Sequence, residues 1–222
     1  MWTHMTWNLL RITTFFDQFT MENIVKSPVL IYTEQTPNPE SLKFVTNRIL
    51  YRGTVDFKDA QLAAEWSPLA WDLFEFPFVK GVYVSNNFVT ITKEFGFAWD
   101  DIMLKIKEFI KNYVTEGKPI IKEGYAAVQA KLESEKSGIA YNEDEAVIVQ
   151  RVKELIETYV KPAVEMDGGN IEFHRYEAGK VFVTMHGSCS GCPSSTVTLK
   201  AGIEGMLKRM VPEVVEVVAE MG

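Results

Sequence analysis

Cys189 and Cys192 are the only cysteines among the 222 residues, and two residues separate them. They lie in the run His-Gly-Ser-Cys-Ser-Gly-Cys-Pro (186–193), after an apolar, β-rich stretch and before a helix-like one. A helix N-terminus stabilises negative charge, so this location predicts a lowered thiol pKa and thiolates that bind metals or attack disulfides. The pair therefore indicates a reactive site, since cysteines kept only for packing would need neither this spacing nor this location.

Iron–sulfur ligation and structural zinc are two chemistries that fit a Cys-x-x-Cys pair. A cubane cluster needs four ligands and one chain offers two thiols, so two copies facing each other across a two-fold axis would supply the set. Structural zinc sites normally close within one chain. No second cysteine pair exists here, and His174 and His186 are expected to point to the solvated face of a hairpin rather than to a metal.

Thiol–disulfide exchange is the third chemistry, because a strand followed by Cys-x-x-Cys at a helix mouth is also the thioredoxin arrangement. Two features oppose it: Pro193 follows the second cysteine instead of preceding it, and the surrounding elements form a hairpin, not a βαβ unit. A pair of inert buried cysteines is the least expected alternative, since Gly187 and Gly191 predict an open, flexible loop that could approach a bulky inorganic core. The missing second pair favours a shared cluster, with dithiol redox chemistry as the alternative.

The composition indicates a globular protein that acts in a reducing compartment. The chain is 46% hydrophobic and 24% charged, which is ordinary for a soluble domain with a core. Its net charge of −7 argues against a nucleic-acid binder. No apolar run approaches the roughly 20 residues that cross a bilayer, and two cysteines do not form a secreted disulfide framework. We therefore expect neither a nucleic-acid nor a membrane partner.

The C-terminal part predicts an α-β-β-α-β unit that places the cysteine pair after a hairpin. Asn142 can cap a helix over 142–160 whose end Pro162 disturbs, and a second helix ends at Pro212, before a strand over 213–219. The apolar alternation of 170–186 predicts a hairpin with a three-residue loop around Gly179, which places His186 opposite Glu172. The expected buried stripe of the first helix consists of Ile148, Val152, Leu155, Ile156 and Tyr159.

The preceding part of the chain predicts a second small α+β domain. Strands are expected over 29–34 and 41–46 with a turn at 36–40, and a hairpin over 79–93 turns at Asn86-Asn87. Helices are expected over 59–74, broken near Pro68, and over 100–114. The predicted fold class is thus α+β: a poorly ordered extension (1–28), a first domain (29–115), a linker (116–142) and the cysteine-bearing domain (143–222).

Two motifs resemble one known family. Asp-Gly-Gly-Asn-Ile-Glu-Phe (167–173), followed by Gly-Ser-Cys-Ser-Gly-Cys-Pro-Ser-Ser (187–195), resembles the NifU-like C-terminal domain of Nfu-type iron–sulfur scaffold proteins. Thr-Glu-Gln-Thr-Pro-Asn-Pro-Glu-Ser-Leu-Lys-Phe (33–44) looks like the signature of the N-terminal domain that precedes the scaffold in many of these proteins. Together the two resemblances cover about residues 29–222.

The resemblance implies a non-enzymatic carrier. Cys189 and Cys192 of two protomers would bridge a labile [4Fe-4S] cluster, received from an upstream assembly machinery and passed to apo-proteins. The Thr36–Pro39 segment would help to recognise partners, although a rigid loop that only packs is an equal alternative. The expected place of action is the bacterial cytoplasm, because the N-terminus is poor in basic residues, or the mitochondrial matrix in a eukaryote.

Overall fold

The computed structural model of the protein describes residues 27–136, 139, 141–190 and 193–221. Residues 1–26, which belong to the predicted extension, lie outside this range, and so does Cys192. The described residues form two α+β domains, each with its own hydrophobic core, as the sequence predicts. The precise domain boundaries stay predictions. Among the described residues, no helix has the length and apolar character needed to span a bilayer.

A five-stranded antiparallel sheet forms the N-terminal domain, in the order β1-β2-β5-β4-β3. Its strands are β1 (Ile31–Gln35), β2 (Ser41–Thr46), β3 (Tyr51–Phe57), β4 (Val79–Asn86) and β5 (Phe88–Lys93). The predicted strands and the 79–93 hairpin are confirmed, and Asn86 has a positive φ at the hairpin turn. The sequence analysis missed β3, because Gly53 interrupts its weak apolar alternation.

Three helices of this domain pack on one face of the sheet: α1 (Ala60–Trp66), α2 (Pro68–Phe74) and α3 (Trp99–Thr115). The predicted break near Pro68 is confirmed, and Ser67 caps α2 by accepting a 3.0 Å hydrogen bond from the Ala70 N–H. A further helix, α4 (Tyr125–Lys136), lies in the segment predicted as a linker. Its first residue packs its ring against Trp66, so this helix begins on the N-terminal domain.

The C-terminal domain begins with a helix that changes its winding before Pro162. Helix α5 (Glu143–Leu155) leads through a π-helical turn (Ile156–Val160) into α6 (Lys161–Met166), where proline ends the regular pattern because it lacks an N–H donor. The wider turn rotates the buried stripe, so Val160 and Val164 face the core. The prediction that Tyr159 is buried is therefore wrong, since this residue is 60% exposed.

The remaining elements are β6 (Gly169–Glu177), β7 (Lys180–Gly187), α7 (Pro193–Met210) and β8 (Glu216–Met221), with β8 parallel to β7. The α-β-β-α-β order is confirmed. Because β8 runs parallel to β7 and α7 connects them, these elements form a βαβ unit, so the prediction that a hairpin and not a βαβ unit surrounds the cysteine-bearing loop is wrong. The predicted three-residue hairpin loop is also wrong. Ala178 and Gly179 both have positive φ and make a two-residue turn. A two-residue turn alone would put the apolar side chains of the two strands on opposite faces, and the extra residue of a bulge at His174 returns them to one face. As a consequence, His186 pairs with Asn170 instead of Glu172.

Candidate functional site

The loop that joins β7 to α7 carries Cys189 and is tied to the turn between α6 and β6. The Ser188 N–H donates to the carbonyl of Gly168 (3.2 Å), and the Ser188 hydroxyl donates to the carbonyl of Asp167 (2.6 Å). Within the loop, the Ser190 N–H donates to the carbonyl of Gly187 at 3.1 Å. These bonds fix the backbone on both sides of the cysteine, so the described loop (Gly187–Ser190, here called the Cys loop) has a defined conformation.

Cys189 lies inside the C-terminal domain, with only 6% of its surface exposed. Its Sγ lies against Gly169, where a Cβ atom would approach the sulfur to 2.9 Å and the carbonyl oxygen of His186 to 2.6 Å. The Asp167-Gly168-Gly169 turn is the helix stop that the sequence predicts, since Gly168 follows the end of α6 with φ +82°. Gly169 has a second role that the sequence analysis missed, because it leaves room for the thiol.

Burial raises the pKa of the Cys189 thiol, because a thiolate would lose its hydration in the apolar interior. A contact with the Ser188 hydroxyl lowers the pKa and the charge of Asp167 raises it again. The prediction of a lowered pKa is therefore wrong for Cys189 in this conformation, and its thiol is buried. Gly191, the second glycine of the predicted open loop, lies outside the described residues. Since Cys192 lies outside the described residues, its place beside Cys189 stays a prediction.

His174 and His186 occupy different environments on the hairpin. His174 bonds Glu220, which also binds Arg175. His186 is not the solvated side chain that the sequence predicts: only 20% of it is exposed, and it faces carboxylates of both domains. Burial lowers the pKa of His186, but its interactions with Asp56 and Glu172 outweigh burial and raise the pKa to about 9. Within the described part of the chain, no group of three or more His, Cys, Asp or Glu side chains could hold a metal.

The N-terminal domain contacts the C-terminal domain at the Cys loop itself. The Asn38 side-chain amide donates to the carbonyl of Ser188 at 3.2 Å, and the Gly187 N–H donates to the Asp56 carboxylate at 3.2 Å. Asn38 belongs to the Thr36–Pro39 segment singled out by the resemblance, and it is 2% exposed. That segment therefore lies beside the cysteine-bearing loop, a placement that its sequence alone does not predict.

A groove of about 430 Å³ opens next to these contacts. Both domains line it, and its walls include Asn38, Asp56, Lys80, Tyr83, Gly187 and Ser190. The site thus consists of a buried thiol, a tightly held glycine- and serine-rich loop, and a cleft at the junction of the two domains.

Comparison with known families and proteins gives matches in both domains. Residues 31–117 match a family described as scaffold protein Nfu/NifU N terminal, and residues 152–218 match the NifU-like domain. A protein of Drosophila sechellia named "NFU1 iron-sulfur cluster scaffold homolog, mitochondrial" is 42% identical over 84% of this chain and 63% of its own length. "NifU-like protein 4, mitochondrial" of Arabidopsis thaliana is 38% identical over 84% of this chain and 64% of its own length. The chain thus spans less than two thirds of the length of these two relatives.

Proposed function

Because this chain belongs to the family of Nfu-type iron–sulfur scaffold proteins, we propose that it is a non-enzymatic scaffold and carrier of iron–sulfur clusters. The cluster is cargo: it is assembled on or delivered to this protein by an upstream machinery and passed on to apo-proteins. The naming of the curated relatives as mitochondrial supports the mitochondrial matrix as the place of action in a eukaryote.

The proposed cargo is a [4Fe-4S] cluster shared by two protomers. Cubane iron is held by four thiolates, and each chain has two cysteines. Cys189 and Cys192 of one protomer and the same residues of its partner would complete the set without any further ligand. The observation that carries this proposal is the location of Cys189, on the loop between β7 and α7 where the family match and the domain contact coincide.

Cluster transfer would proceed by ligand exchange, in which thiolates of the client displace Cys189 or Cys192 one at a time. A set of two ligands per chain suits this role, because each protomer alone holds the cluster through only half of its bonds. Gly187 has no side chain and Ser190 has a small one, so the backbone near the cysteine can approach an inorganic core. These residues bind and orient the cargo, while the iron–sulfur chemistry belongs to the cluster.

The alternative, thiol–disulfide exchange by the same pair, is disfavoured by the family match, because the relatives are named iron–sulfur cluster scaffolds. The attacking species in such an exchange is an accessible thiolate. The burial of Cys189 does not separate the two functions, because cluster binding also needs this thiol at the surface.

Anaerobic reconstitution with ferrous iron and sulfide tests the proposed function. We expect a brown dimer with about four iron and four sulfide per two chains, measured by chemical analysis and native mass spectrometry. Cys189→Ser and Cys192→Ser should each abolish binding. Gln150→Ala is the control, since it changes an exposed residue on α5 of the same domain without removing a thiol.

Three results would contradict the proposal. Either cysteine variant could retain stoichiometric iron, a single protomer could hold a complete cluster, or the oxygen-free protein could prefer zinc. A colourless monomer that cycles between dithiol and disulfide would support the oxidoreductase alternative instead.

A further inference from the structure

One row of side chains crosses the N-terminal sheet on the face away from its helices. Lys43 on β2 lies opposite Thr90 on β5, Thr90 lies opposite Tyr83 on β4, and Tyr83 lies opposite Asp56 on β3. The row therefore takes one residue from each of four adjacent strands. All four of its members contact backbone atoms of the C-terminal domain, on the turn after α6 or on the Cys loop.

Two members of the row bind the end of α6. The Lys43 ammonium group donates to the carbonyls of Glu165 (3.2 Å) and Met166 (3.0 Å), and the Thr90 hydroxyl donates to the carbonyl of Gly168 (2.8 Å). The last carbonyls of a helix lack partners within the helix. A cation is favourable there because it also complements the helix dipole. The N-terminal domain thus supplies the cap of this helix.

The other end of the row binds at the Cys loop. Asp56 accepts the Gly187 N–H, and the Tyr83 hydroxyl reaches the carbonyl of Gly169 at 3.5 Å. Outside the row, Asn38 adds the bond to the carbonyl of Ser188. The contacts therefore hold the two residues that precede Cys189 and the glycine that lies against its sulfur.

Two glycines make this close approach possible. Gly168 and Gly187 both have positive φ, and a Cβ atom on Gly168 would lie 2.9 Å from the Thr90 hydroxyl. A Cβ atom on Gly187 would lie 2.9 Å from the Tyr83 ring. A side chain at either position would have to displace a neighbouring atom at the domain contact and would also strain the backbone.

The burial of the row indicates a specific interface. Lys43 is 7% exposed and Thr90 is 1% exposed, and buried polar groups are costly unless they are hydrogen-bonded. Lys43 is satisfied by the two helix carbonyls together with the carboxylate of Glu34 at 3.0 Å, and it lies over the Phe88 ring. Such complete pairing would not be expected of two domains that touch by chance.

We propose that the N-terminal domain is an intramolecular clamp, in which the Lys43–Thr90–Tyr83–Asp56 row holds the Cys loop closed with the Cys189 sulfur turned into the core. Opening of the clamp frees the loop, so that the thiol can turn outward. The consequence for cargo rests on the proposed function: a cluster shared with a second protomer needs Cys189 at the surface, so the clamp opens before the cluster is bound.

Alkylation of the metal-free chain of 222 residues tests the clamp without any iron. In a Cys192→Ser background Cys189 is the sole thiol, and its reaction with iodoacetamide reports how often the loop opens. Lys43→Met with Thr90→Val keeps the size of both side chains and removes their bonds to the C-terminal domain. We expect about a hundredfold faster reaction, because the double variant loses three hydrogen bonds to the C-terminal domain and each weakens the closed state by about 1 kcal/mol. Lys111→Met, on α3 at the other face of the sheet, is the matched control and should leave the rate unchanged.

Nuclear magnetic relaxation of backbone amides provides a second measurement that does not depend on the stability of the variant. In the unaltered metal-free chain, both domains should tumble with one correlation time, and in the double variant with two. Circular dichroism confirms that the variant is folded. An equal alkylation rate in a folded double variant, or independent tumbling of the domains in the unaltered chain, would overturn the clamp.

The link to cargo is tested by the initial rate of cluster incorporation in chains that retain both cysteines. The double variant should load faster than the parent, and equal rates would show that the clamp does not control loading. The two proposals fail separately. Loss of the clamp leaves cluster stoichiometry intact, whereas a chain that binds no cluster can still show the alkylation and tumbling effects.

Discussion

His186 Nδ1 lies 3.5 Å from the Asp56 carboxylate, so a charged pair connects the C-terminal hairpin to strand β3 of the N-terminal sheet. A second carboxylate, Glu172 on β6, lies 3.7 Å from His186 Nε2. The His186 imidazole thus lies between one carboxylate from each domain. The same Asp56 oxygen accepts the Gly187 N–H, which places the pair one residue from the Cys loop.

This enclosure predicts a pH dependence of stability. The pKa of His186 is about 9 in the folded chain, above the usual value of 6.5. A group whose pKa is raised by folding stabilises the protein fully below its unfolded pKa, and that contribution is lost as pH rises through the folded pKa. We expect the free energy of unfolding to fall between pH 6.5 and 9, and His186→Asn to remove that part of the fall. Urea unfolding at several pH values measures it, and an identical pH profile in the variant would contradict the prediction.

Gly169→Ala should disturb the site from within the C-terminal domain. The new methyl group would lie 2.6 Å from a backbone carbonyl and 2.9 Å from the Cys189 sulfur, so the chain must shift. We expect a loss of about 1–3 kcal/mol in the free energy of unfolding, measured by denaturant titration. Gly202→Ala on α7 is the control: its Cβ meets nothing within 4 Å, and it should stabilise the helix slightly. Equal effects of the two substitutions would show that Gly169 is not a packing position.

Val160→Ala and Tyr159→Ala test the change of winding before Pro162. Val160 is buried and Tyr159 is largely exposed, so the valine should be the costlier residue to truncate. We expect about 1–3 kcal/mol for the valine and less than about 0.5 kcal/mol for the tyrosine. Thermal and urea unfolding of the two variants measure these losses in the free energy of unfolding. A larger loss for Tyr159→Ala than for Val160→Ala would indicate a regular helix with Tyr159 buried, as the sequence predicts.

Asn142→Ala tests the start of α5. The Asn142 side chain accepts the Glu145 N–H at 2.8 Å and Glu145 reaches back to the Asn142 N–H, which is a capping box. Removing it should cost about 1 kcal/mol of stability, seen as a lower urea midpoint for the C-terminal domain. Gln150→Ala, an exposed change on the same helix, should have little effect. An unchanged midpoint in Asn142→Ala would mean that the cap contributes nothing.

Local patterns in the sequence predict most elements and the position of Cys189 between a strand and a helix. The break at Pro68, the helix stop at Asp167 and the α-β-β-α-β order all depend on residues near each other in the chain. The predicted register of the β6–β7 hairpin is wrong. A three-residue loop and a two-residue turn with a bulge at His174 both keep the apolar side chains on one face, so the apolar alternation fits either arrangement. The alternation of apolar residues shows which side chains share a face, but it does not show whether the extra residue lies in the turn or in a bulge within a strand.

The direction of the Cys189 side chain and the contact between the domains depend on long-range packing. A helix N-terminus predicts an activated thiol, but burial in the core reverses the pKa shift, and core contacts come from strands distant in sequence. Lys43, Thr90, Tyr83 and Asp56 form a row only after four strands assemble in an order that differs from their order in the chain. No local pattern marks them as neighbours.

The four side chains of the row end on carbonyl and amide groups, so the N-terminal sheet recognises the path of the opposing main chain rather than the identity of its residues. Most substitutions on the surface of the C-terminal domain would leave this fit intact. The two glycines with positive φ are exceptions, because a side chain there would strain the backbone and would also collide with Thr90 or Tyr83 of the opposing sheet. The fit between the two domains thus depends mainly on the backbone of the C-terminal domain, and Gly168, Gly187 and His186, the partner of Asp56, are the positions where residue identity matters.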